Sequence, residues 1–199
     1  MADEFARDML RLFNTMSFGP AEHRTSSVVA AAYIETHVTD LIRRKMPGLT
    51  KALTKRVFHP EEGFINTLGR KLDMCEALEI LESRYIADAR QIGRIRNKFA
   101  HTLEVDSFDH PKVRDLIDAL KATTDFRLRT EKGLVDPLEQ AETREKKFIT
   151  SAIAVAMHIV GEHIPGDEYA FSDLTLVTGN GRDASHSISV SRVRPKKSD

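Results

Sequence analysis

Arg94-Ile95-Arg96-Asn97-Lys98-Phe99-Ala100-His101 lies near the middle of a 199-residue chain, late in a segment whose apolar residues recur at helical spacing. From about Arg84 to Leu103 there is no proline. With Tyr85 set at zero, Ala89, Ile92, Phe99 and Leu103 fall within about 40° of it at 100° per residue, which predicts an amphipathic helix with one face in a core. Arg96 falls at about 20°, inside that stripe. Asn97 and His101, four residues apart, stack on an adjoining face about 120–160° away, with Arg90 and Arg94 on the same flank. An arginine in an apolar stripe needs a partner, because an unpaired buried charge costs several kcal/mol. The expected partner is Glu35, in an ion pair that fixes helix register. The functional alternative points Arg96 into a shared cleft, where its planar fork would hold a phosphate or carboxylate.

The segments around this helix also read as helices. Residues from about Ala21 to Met46 run without Gly or Pro until Pro47-Gly48, and Ser27, Ala30, Ala31, Ile34, Val38 and Leu41 line up as one stripe. Arg24 and Glu35, eleven residues apart, share an edge of that stripe and read as partly buried charges. Phe5 to Met16 predicts a short amphipathic helix. A helix from about Phe64 to Ala77 would turn Phe64, Ile65, Leu68, Leu72 and Cys75 inward. Ser83 is the expected N-cap of the motif helix, and Asp109 followed by Pro111 the start of the next. Residues 121 to 143 show little periodicity and read as a connector. Arg144 to His163 predicts a helix whose apolar face, including Phe148, Ile149, Ala152, Ile153, Val155 and Ile159, is broad enough for contact on two sides. After Gly166, Leu174 and Leu176 and then Ile188 and Val190 alternate with polar residues, the pattern of a small hairpin turning near Asn180-Gly181. The fold class expected is therefore all-α, a multi-helix bundle with a small C-terminal β-hairpin or irregular tail.

Composition narrows the function. Thirty basic and thirty acidic side chains give a formal charge of +0, which argues against broad, non-specific DNA binding. Six of the basic residues, Arg43, Arg44, Lys45, Lys51, Lys55 and Arg56, nevertheless follow one another with no acid between them. They read first as a cation-rich helix end with a solvated connector, and alternatively as a docking surface for an acidic partner or a phosphate backbone. The single cysteine, Cys75, cannot form an internal disulfide and reads as a small core residue. No second histidine stands at ligand spacing from His101, and no P-loop, GxSxG or GxGxxG segment is present, so neither metal nor cofactor is expected. The first residues lack the apolar run of a signal peptide, and the longest apolar stretch, Ala152 to Val160, is far short of the roughly 20 residues that span a bilayer. A cytoplasmic protein with no membrane contact is expected.

In order along the chain, Arg24 to Glu35, the Leu68–Ala77 helix, Ile95-Arg96-Asn97-Lys98-Phe99-Ala100-His101 and Ser107-Phe108-Asp109-His110-Pro111 resemble the mannitol operon repressor family. The resemblance covers roughly residues 22–120. Where related sequences tend to have a Leu-Gly turn before the motif helix, this chain has Leu78-Glu79. The resemblance implies an all-helical domain, here 1–165 with 166–199 as a hairpin or tail. It implies lowered transcription of a sugar-uptake operon through a protein partner of a transcription or sugar-transport system, without direct DNA binding; a homodimer is left open. Arg24, Glu35, Arg94, Arg96, Asn97 and His101 are the candidate binding or structural residues. A second, shorter resemblance is to HEPN-type RNA-cleaving domains, whose Arg-x4-His pattern Arg96 and His101 satisfy. It implies a metal-independent ribonuclease acting on RNA, with His101 moving the proton at the 2′-hydroxyl, Arg96 on the phosphate and Asn97 as the polar neighbour.

Overall fold

A computed structural model of the chain describes residues 23–121 and 143–161, with the backbone of four short strands beyond Lys121. The expected helix at Phe5 to Met16 and the division between residues 165 and 166 lie outside the described residues.

Helix α1 (His23–Lys45) forms where the long unbroken run predicts it, and its whole expected stripe, from Ser27 through Leu41, is buried. Arg43, Arg44 and Lys45 occupy its last turn, where cations complement the carbonyl end of the helix. A short helix α2 (Lys51–Val57) follows, started by Thr50, whose hydroxyl accepts the Leu53 N–H at 3.2 Å; none of its residues is buried.

Helix α3 (Leu68–Ala77) begins four residues later than periodicity suggests, because the Thr67 hydroxyl caps it by accepting the Arg70 N–H. Phe64 therefore precedes the helix and is 82% exposed rather than inward, whereas Ile65, Leu68, Leu72 and Cys75 are buried as expected. The helix ends in a left-handed residue. Glu79 has φ 53°, the Ile80 N–H reaches the Cys75 carbonyl and the Glu79 N–H the Glu76 carbonyl, each at 3.1 Å. This is the Schellman arrangement that normally takes glycine at that position, where this chain has Glu79.

Helix α4 (Ser83–His101) carries the motif. Its N-cap is Glu82, one residue before the expected Ser83, and Thr102 turns extended at its other end. The helical period stops there, so Leu103 is 92% exposed and not part of the inward stripe. Helix α5 (Pro111–Asp118) starts at His110, whose Nδ1 accepts the Lys112 N–H at 3.2 Å; Asp109, the expected cap, is engaged elsewhere. Helix α6 (Arg144–Gly161) is buried on nearly all sides between Phe148 and Val160 and packs on α1, α4 and α5, so the two-sided contact predicted for it is met within the chain.

These six helices of the described residues form an all-α bundle around one core. Strands β1 (Leu128–Thr130) and β2 (Gly133–Val135) pair antiparallel inside the stretch read as a connector; three residues are too few to show a period of two. Strands β3 (Leu174–Val177) and β4 (Ser185–Ile188) pair antiparallel with Leu174 opposite Ile188, as the C-terminal alternation predicts. None of the helices among the described residues is long and apolar enough to cross a membrane.

Candidate functional site

Three of the four segments that carry the resemblance, all but the Leu68–Ala77 helix, meet at one place, where the start of α1, the end of α4 and the loop after it come together against the start of α6. His23 is buried and stacks on Phe108 with ring centroids 4.3 Å apart. Its Nδ1 accepts the Phe108 N–H at 3.1 Å, which leaves the proton of the neutral ring on Nε2, 3.3 Å from the Glu145 carboxylate on α6. Arg24 donates from Nη2 to the Val105 carbonyl at 3.0 Å and holds its guanidinium 6.0 Å from the Phe99 ring centre. Phe108 meets Phe99 edge-on at 5.4 Å and lies 4.6 Å from Phe148.

Next to this aromatic cluster, Arg144 donates from Nη1 to Asp109 at 2.8 Å and from Nε and Nη2 to the two oxygens of Asp118 at 3.0 Å each. Hydrogen bonding from Arg144 holds the Asp118 carboxyl below its ordinary value of 3.8. The residues from Phe108 to Pro111 thus each have a local duty: Phe108 fills the core, Asp109 anchors α6, and His110 and Pro111 start α5. The joint is structural in character. His23, Glu145 and Arg144 were not singled out by sequence. An ion-pairing partner more than twenty-five residues away leaves no periodic trace.

The motif helix itself does not bring the candidate residues together. Glu35 pairs with Lys71 of α3, Nζ to Oε1 at 2.7 Å, and not with Arg96. The reason is the direction of packing. Arg24, at the start of α1, lies by Phe99 and Val105 at the end of α4, while Lys45 and Ser83 line one cavity at the opposite ends, so α1 and α4 run antiparallel. Glu35 stands eleven residues along α1 from Arg24, and Arg96 three residues from Phe99; at about 1.5 Å per residue the two are offset by roughly 12 Å along the helix axes. Arg96 is half-buried and makes no hydrogen bond or ion pair among the described residues. Asn97 and His101 are exposed and likewise unbonded there, and Arg94 donates to Gln91 at 2.9 Å on the surface.

Lys71 could have been found. It lies three residues after Leu68 and four before Cys75, so the helical period that places those residues inward places it inward too. Its ion pair with Glu35 sits in a shallow cleft of about 410 Å³ between α1 and α3, with Thr36, Thr39, Asp40 and Arg43 around it. A second cleft, about 460 Å³, lies at the other end of the bundle between Lys45 and the α3–α4 turn, with Glu76, Glu79 and Glu82 on its wall. Cys75 is no nucleophile for either, since burial pushes its thiol up to about 12. Among the described residues, no group of three His, Cys, Asp or Glu side chains is placed to hold a metal.

No family model matches the chain, and no curated protein does. Among solved structures, a chain of the MtlR–HPr complex from Escherichia coli shares its fold, with a TM-score of 0.58 over 78% of this chain and 98% of that one. The two are 12% identical, so the likeness concerns the fold.

Proposed function

We propose that this protein is a helical regulator that acts by binding a protein partner of a transcription or sugar-transport system, and not by reading DNA itself. The observation that carries this reading is the fold shared with a chain of a complex named for two proteins, MtlR and HPr. The formal charge of +0 supports it, because a surface without basic excess gains little from releasing counterions along a phosphate backbone. In this reading the helical unit over residues 1–165 carries the activity, residues 166–199 are an appendage, and the protein works in the cytoplasm. HPr is the first partner to test. Titration of the purified protein with HPr in a calorimeter is expected to show saturable binding. Salt-sensitive binding of the purified protein alone to a specific operator fragment, with no heat from HPr, would overturn the proposal.

The second reading, RNA cleavage by Arg96, Asn97 and His101, is favoured by the exposure of Asn97 and His101 one turn apart at the end of α4. Incubation with mixed RNA decides it: cleavage lost in His101→Ala supports it, and an inert parent protein removes it.

A further inference from the structure

Residues 41–60 hold six of the thirty basic side chains and none of the thirty acidic ones, so the rest of the chain carries a matching acidic excess. All six, Arg43, Arg44, Lys45, Lys51, Lys55 and Arg56, are exposed. Arg43 is tied to Asp40 at 3.2 Å and lies over the Phe58 ring at 5.6 Å. Lys51, Lys55 and Arg56 have no ion pair among the described residues. They stand on α2, a helix that buries no side chain and so contributes little to the core.

Beside α2 stands an aromatic residue that the fold holds out into solvent. Phe64 is 82% exposed, yet the backbone on both sides of it is fixed. The Gly63 N–H donates to the His59 carbonyl and the Ile65 N–H to the Val57 carbonyl, each at 3.0 Å. Gly63 is packed so closely that a Cβ there would collide with the backbone of Val57 and His59. Ile65 is buried and acts as the anchor, while His59 Nδ1 accepts the N–H groups of Glu61 and Glu62 at 3.3 Å. Val57 follows Arg56 directly, so these bonds set Phe64 against the basic end of α2. An exposed aromatic on fixed backbone loses little conformational entropy when it is covered, and aromatic residues with arginine are the usual anchors of protein interfaces.

We propose that α2 and Phe64 form a protein-docking surface, with Phe64 as the apolar anchor and Lys51, Lys55 and Arg56 as its basic rim on the α2 side, the exposed Glu61 and Glu62 bounding it on the other. The partner is a protein surface that offers an apolar pocket edged by carboxylates. Charge complementarity selects the acidic rim, and Phe64 selects the pocket. A nucleic acid fits less well, because the acidic excess over the rest of the chain repels a long polyanion and α2 is a seven-residue helix. The surface deepens the regulator reading by locating where the partner meets the chain, and rests on that reading for its biological role.

The test uses the full chain and three fluorescein-labelled probes read by anisotropy. One is a peptide of about 14 residues with Glu and Leu at helical spacing, one an all-Glu peptide of that length, and one a duplex of about 20 base pairs. The wild type is expected to bind the Glu/Leu peptide about tenfold more tightly than the all-Glu peptide. Phe64→Ala removes that preference, and the triple variant K51E/K55E/R56E weakens both peptides by about tenfold or more, while the control Lys98→Glu on α4 changes them little. Each variant's melting curve is recorded alongside; all the substituted side chains are exposed, so folding is expected to be retained. A triple variant that binds like wild type, a preference that survives Phe64→Ala, or tighter binding of the duplex than of the Glu/Leu peptide would each overturn the proposal. Because none of the probes is HPr, the absence of HPr binding would remove the regulator reading without altering this result, and the reverse also holds.

Discussion

Glu79→Gly is expected to stabilise the protein, although it deletes a side chain and shortens nothing. Glu79 occupies the left-handed position of the turn that closes α3, with φ 53°. A residue with a Cβ pays roughly 1–2 kcal/mol there because the Cβ crowds the following carbonyl. Glycine removes that cost but brings a more flexible unfolded chain, which takes back about 0.4–1 kcal/mol. The net gain is about 0.5–1 kcal/mol, to which loss of a carboxylate at the carbonyl end of α3 adds a few tenths. For a chain of this size that corresponds to a rise in Tm of about 1–4 °C. Glu79→Ala is the decisive control, since it removes the same charge and keeps the Cβ; its Tm is expected to stay within about 1 °C of wild type. Glu79→Asn should fall between, because asparagine tolerates the left-handed region better than other residues with a Cβ. The assay is thermal unfolding followed by circular dichroism at a fixed scan rate. Equal shifts for Gly and Ala would refute the backbone argument and assign the effect to charge alone.

Two further outcomes follow from the joint between α1, α4 and α6. Phe108→Ala removes a buried ring in contact with His23, Phe99 and Phe148; urea unfolding is expected to show a loss of about 3–5 kcal/mol, and a loss under about 1 kcal/mol would contradict the packing described. Arg144→Gln removes the hydrogen bonds that depress Asp118. A depressed carboxyl gives stability that is present above its ordinary value of 3.8 and is lost as pH falls through its folded value, so the wild type's urea midpoint should fall more steeply below about pH 4 than the variant's. The difference is small, because Asp118 is largely exposed and screened. Parallel acid limbs in the two proteins would count against the bridge.

The long helices were legible because an unbroken apolar period leaves one consistent answer. The Ser27–Leu41 stripe of α1 and the broad face of α6 are buried as their spacing requires. Errors gathered where a period was extended past the real end of a helix. Phe64 and Leu103 fit the stripes of α3 and α4 by angle, yet Thr67 caps one helix after Phe64 and Thr102 ends the other before Leu103. Pairing across helices was the second gap. Angular position alone set Arg96 toward Glu35, but the direction and offset of two packed helices decide which charges meet, and a single sequence holds neither. Lys71 was within reach of the same periodicity and took the partner instead.

The candidate motif and the candidate interface are therefore different parts of the molecule, and the reason is chemical. His23, Arg24, Phe99 and Phe108 direct their side chains into bonds and packing that close the bundle. A side chain engaged in that way is not available to a second protein unless the bundle opens. On the proposed reading, partner choice rests with residues the core does not use. Lys51, Lys55, Arg56 and Phe64 meet that condition, with α2 buried nowhere and Phe64 held outward by its neighbours' backbone bonds. Asn97 and His101 meet it as well, at the exposed end of α4. Substitutions in the joint should lower stability and binding together, whereas substitutions on α2 or at Phe64 should change binding at constant stability; only the second pattern identifies an interface.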